Sequence, residues 1–247
     1  MVLLAACVHT PSAAPSQSRI LHRIQQHPFG PRPVLPSPQD VHRLSPKQVE
    51  DFLAFFRNPQ RSEEPPHVRV AKYLTAMTGS FDYQGYTTDA RTTLEDKVGN
   101  CMALAVLTTA LSDLAGVEVS YELVDGAPVF ELYGTVVYRG MHVRTVLRSP
   151  TWTPPRGQRF LIKPSVRIDY FADVNDRFVK DISRREYVAL YYANLAAESV
   201  RGGRLDTAYW LLRASLALDP KSVAAWNSMA VVLRRANRID QAEDIYR

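Results

Sequence analysis

The chain has 247 residues, enough for one sizeable domain and a smaller one, and its 46% hydrophobic and 22% charged content is that of an ordinary folded protein. The net charge of +5 is carried mostly by scattered arginines, without the Lys/Arg-rich run of a nucleic-acid-binding patch. No apolar run approaches the ~18 residues of a membrane-spanning helix. The two cysteines lie far apart in unlike surroundings, which speaks against a disulfide framework, and without a CxxC pair or an HExxH motif no metal or cofactor is expected.

Residues 1–7 read as the end of a secretory signal, although no positive start precedes the short apolar stretch. Leu3-Leu4-Ala5-Ala6-Cys7 resembles the lipid-attachment box of bacterial lipoproteins, with Cys7 as the lipidated residue. That resemblance implies a periplasm-facing envelope protein held to the membrane by its lipid alone; a cytoplasmic protein is the alternative. Residues 8–44 are rich in Pro, Ser and His and read as an extended linker that buries no core.

Folded structure is expected from Ser45-Pro46, a capping residue followed by a proline at the first helical position. Val49, Phe52, Leu53 and Phe56 give the first helix an apolar face, and a second runs from Pro65 to Met77 before Gly79. Thr88 is expected to cap a third helix through Leu94. A fourth begins at Cys101 and ends at Gly116. From Val117 the apolar period changes to two, which predicts strands over 117–122, 130–138, 142–147, 159–162 and 166–171. Helices followed by antiparallel strands make residues 45–181 an α+β domain.

Cys101 follows a Gly99-Asn100 turn and opens an apolar helix. Unpaired amides and the helix dipole at that position favour a thiolate, the nucleophilic form. Beyond residue 67 the only histidine is His142, on a strand whose more apolar face carries Met141, Val143, Thr145 and Leu147. His142 is the candidate base, and later the acid to a leaving amine. Asp169 is the foremost carboxylate to orient it, with Asp173 and Asp125 as rivals.

These residues, with Phe81-Asp82-Tyr83, Thr87-Thr88-Asp89-Ala90, Leu94 to Cys101, Ala110-Leu111, Gly116-Val117 and His142-Val143, resemble the transglutaminase-like superfamily over about 45–171. The resemblance implies a papain-like fold and acyl transfer through a Cys101–His142–Asp169 triad. Lys163 stands where many members carry the acid, and Ile168-Asp169-Tyr170 is similar to the phrase of other bacterial members. A second oxyanion donor is then sought in Tyr83 or Gln84. The implied activity is a protease or amidase, or an amine-accepting transglutaminase; the alternative is a non-catalytic scaffold on a degenerate fold.

Residues 182–247 are helical and repeat. Tyr192, Leu195, Ala196, Gly203, Ala208 and Leu212 are followed, 34 residues on, by Trp226, Met229, Ala230, Asn237, Ala242 and Tyr246. Together with Pro220 this is similar to the tetratricopeptide repeat, the second copy incomplete. The resemblance implies an all-α region that binds a protein or peptide.

Overall fold

The structure, a computed structural model, describes residues 29–125, 130–133, 136–139, 142–154, 162–170 and 176–246. Cys7, Asp173 and most of the strand expected over 159–162 lie outside them. The chain is a mixed α+β protein with an antiparallel sheet.

The first finding corrects the linker. From Phe29 the chain belongs to the core: Phe29, Val41 and Leu44 are buried, and Ser37 caps a short helix α1 (Pro38–Val41). Five spaced prolines disguise three apolar residues that are enough to hold this segment down. Helix α2 (Pro46–Phe56) starts as expected, with a reciprocal cap between Ser45 and Gln48. Helix α3 (Pro66–Thr78) ends at Gly79. Helix α4 (Ala90–Asp96) is capped by Asp89, not Thr88, because the Asp89 carboxylate accepts from Thr92 N at 2.7 Å while Thr88 Oγ1 bonds Thr93 Oγ1.

Helix α5 (Cys101–Ala115) is the centre of the domain. Its residues from Met102 to Ser112 are all buried, and Gly116 ends it at φ +64°. It packs on a sheet built from β3 (Glu118–Asp125), β6 (His142–Arg148), β7 (Ser165–Ile168) and β8 (Arg177–Ile182), in the order β7-β6-β3-β8. The strand expected over 130–138 is instead a separate hairpin, β4 (Phe130–Tyr133) and β5 (Val136–Arg139), with Gly134-Thr135 between them. Strand β8 is absent from the sequence reading: Phe178 and Val179 are exposed and its other residues up to Asp181 are polar, so no alternation marks it. The short strands β1 (Asp82–Tyr83) and β2 (Val98–Gly99) pair in parallel just before α5.

Helices α6 (Arg184–Arg201), α7 (Leu205–Leu218), α8 (Val223–Arg235) and α9 (Ile239–Tyr246) form two hairpins. The sequence repeat recurs in their geometry. Gly203 and Asn237 both take positive φ, and the turn bonds Arg204 N to Ser199 O and Arg238 N to Leu233 O correspond. Ala196 and Ala230 are fully buried, letting the paired helices approach. Tyr187 of α6 stacks on Tyr121 of β3 at 4.2 Å, joining the hairpins to the sheet.

Candidate active site

The approach to Cys101 is built from backbone constraints. Gly99 has φ +144°, and a Cβ there would lie 2.6 Å from Ala103 Cβ, so glycine is required. Asn100 caps α5: its carbonyl oxygen accepts from Ala103 N at 3.1 Å and its amide donates to Thr87 Oγ1 at 2.8 Å. Thr87 N in turn donates to Glu198 Oε1 of α6 at 2.7 Å. The helical region therefore braces the turn that presents the cysteine. Burial raises the Glu198 carboxyl above its ordinary value, partly offset by the hydrogen bonds from Thr87.

Cys101 is half-buried as a residue, yet desolvation of its thiol dominates and pushes its pKa up. The amides of Met102, Val143 and Cys101 itself pull the other way, and the charge of Asp169 adds to the rise. The depressed thiol expected from the helix start is thus corrected: three amides favour the anion, but removal from water outweighs them.

The register of the sheet decides what faces this thiol. Val143, Thr145 and Leu147 are buried on the side of α5, with Thr145 linked through the Tyr170 phenol to Thr108 of the helix. Alternation turns His142 and Arg144 to the opposite face. There His142, cross-strand from Val124, has Nε2 3.3 Å from Asp176 Oδ2. Among the described residues no hydrogen bond joins Cys101 to His142. The structure brings the sulfur to the backbone of Val143, one residue from the imidazole.

Asp169 lies near His142 and is also held by Arg144. Its Oδ2 is 3.2 Å from Arg144 Nη1, because β7 runs alongside β6 with Ile168 opposite Thr145. Arg144 also reaches buried Glu122 at 3.2 Å, and Arg167 grips Glu122 with two bonds of 3.0 Å. Glu122, which period-two reading leaves in solvent, is buried in this network. Asp176, 3.3 Å from His142 Nε2, is absent from the sequence candidates, of which Asp173 is the nearest along the chain. Asp125 ends β3, opposite Arg177 of β8. One ligand atom each from His142, Asp169 and Asp176 lie within 4.8 Å of one another, a trio able to hold a cation, although Arg144 already supplies positive charge to Asp169.

The pairing of Tyr83 with Gly99 lays both oxyanion candidates beside the cysteine turn. Tyr83 donates its hydroxyl to Tyr170 O at 3.0 Å, and Gln84 donates its amide to Asp82 Oδ2 at 2.5 Å. Both donors are thus engaged within the protein. A cleft of about 270 Å³ runs between α3 and β7, from Leu74 and Val166 to Tyr83, Asp169 and Tyr170. Cys101 does not line this cleft, although Tyr83 and Tyr170, which do, feel its charge. A larger cavity of about 570 Å³ lies against α7, bordered by Phe29, Gly30, Arg204, Asp206 and Arg238, none of them a candidate nucleophile or base.

Comparison with protein-family models, with curated proteins and with solved structures found no match for this chain.

Proposed function

We propose that the protein is a cysteine-dependent acyl-transfer enzyme of transglutaminase-like, papain-like design, a protease or amidase in the first instance. Cys101 is the nucleophile and His142 the base, the imidazole being held at rest by Asp176 with Asp169 beside it. The observation that carries this reading is the meeting of a helix-opening cysteine, within reach of three amides, with the strand whose first residue is an acid-paired histidine. At rest burial favours the protonated thiol. Acylation on this reading requires His142 to turn from Asp176 towards the sulfur, take its proton as the thiolate attacks the acyl carbonyl, and return it to the leaving group. The same amides stabilise the oxyanion. Helices α6–α9 act as tetratricopeptide repeats holding a protein or peptide, and lipid on Cys7 tethers the protein to the bacterial envelope, facing the periplasm.

A second reading, a binding scaffold on a retired fold, is favoured by the raised thiol and by the missing Cys101–His142 hydrogen bond. Acylation with p-nitrophenyl acetate in a Cys7→Ser background separates the two. The catalytic reading expects one acetyl group on Cys101 by intact mass, formed about 100-fold more slowly in His142→Ala. Iodoacetamide at pH 10 should label both proteins equally. Acetylation indifferent to His142 would leave the scaffold.

A further inference from the structure

The helical hairpins already hold a peptide: the chain's own residues 29–36. Phe29 stacks on Tyr209 of α7 with ring centroids 4.2 Å apart, and the Arg238 guanidinium covers the ring at 4.2 Å. Gly30 is held through its main chain at both ends, its N–H donating to Asp206 Oδ1 at 3.0 Å and its carbonyl accepting from Trp210 Nε1 at 2.8 Å. Tyr192 of α6 donates its hydroxyl to the carbonyl of Pro36 at 2.6 Å. A Cβ on Gly30 would lie 2.9 Å from Asp206 Oδ2, so a side chain there would push on the carboxylate that accepts the Gly30 N–H.

The polar contacts read a main chain; the selective one reads an aromatic ring, held between Tyr209 and Arg238. The prolines at 31, 33 and 36 keep the segment extended, which lowers the entropy lost on binding. None of these contacts needs the segment to be covalently attached.

We infer that the face of α6 and α7 carrying Tyr192, Asp206, Tyr209 and Trp210, with Arg238, is a recognition groove for extended Phe-Gly segments followed by proline, and that residues 29–36 occupy it as a competitor to such a segment on a partner protein. This goes beyond the acyl-transfer reading and is independent of Cys101. Covalent attachment gives the chain's own segment a high effective concentration, so a partner segment binds weakly until the internal one is loosened.

The test uses a fluorescein-labelled peptide with the sequence Phe29 to Pro38 and the full chain. The unaltered chain should bind it weakly. Phe29→Ala in the chain, which leaves every groove residue intact, should bind it at least ten-fold more tightly, and adding Trp210→Phe should reverse most of that gain. A peptide with alanine in place of the phenylalanine should not compete. As a check that needs no variant, excess peptide on the unaltered chain should speed hydrogen exchange at the Gly30 amide in proportion to its concentration. Equal affinity for the two chains, competition by the alanine peptide, or a Gly30 amide indifferent to millimolar peptide would each overturn the inference. None of these results bears on acetylation of Cys101, so the two readings fail separately.

Discussion

The two faces of the four-stranded sheet solve the burial of polar groups in opposite ways. On the α5 side the polar atoms are hydroxyls that satisfy one another: Tyr170 with Thr108 and Thr145, and Tyr121 with Thr109. On the other side they are charges, in the run Arg167, Glu122, Arg144 and Asp169, with His142 and Asp176 at its end. The candidate nucleophile belongs to the hydroxyl face and the candidate base to the charged one. The lesson is that the two candidates are divided by the sheet: Cys101 lies against the backbone of Val143, while the His142 imidazole is turned to Asp176 on the other face.

Breaking the charged face should cost most. Glu122→Ala removes the buried carboxylate shared by half-buried Arg144 and exposed Arg167, and an expected loss of about 2–4 kcal/mol should appear in urea unfolding. Retention of full stability would mean that this face is solvated. The hydroxyl face should be cheaper to break: Tyr170→Phe removes two hydrogen bonds from a phenol whose pKa burial raises strongly, for about 1–3 kcal/mol in the same assay.

Two smaller effects sharpen the comparison through pH. Glu198 braces the cysteine turn with a carboxyl raised by burial. A raised folded-state value means that the folded form binds the proton more tightly than the unfolded chain. Stability from this group is therefore fully present below the ordinary glutamate value of 4.5 and lost as pH rises through the raised one. Glu198→Gln should flatten that part of the stability–pH profile while keeping an acceptor for Thr87 N. The smallest effect concerns the thiol. Alkylation of Cys101 by iodoacetamide should rise with a midpoint above the ordinary 9.0, and Asp169→Asn should lower that midpoint by removing a negative charge that reaches across from the charged face. An unchanged midpoint would mean that the two faces do not communicate.

Much of the frame was legible along the chain, because local rules act there. Ser45-Pro46 announces a capped helix, Gly116 a stop, and Gly99-Asn100-Cys101 a turn into an apolar helix, each within a few residues. The repeat was legible because each hairpin needs the same small and large residues at the same positions. Strand β8 and the buried strap at 29–44 were not. An exposed edge strand pairs by its backbone, and Phe29 finds Tyr209 only after the whole chain has folded.

By itself, then, the sequence determined the helices, their caps, the α+β character and the turn that presents Cys101, since capping, glycine conformations and apolar periodicity are short-range. The tertiary structure alone decided that Asp176 joins Asp169 beside His142, that Asp169 also pairs with Arg144, and that burial raises the thiol pKa. Those outcomes depend on strand register and on exclusion of water, and both are set by residues distant in sequence.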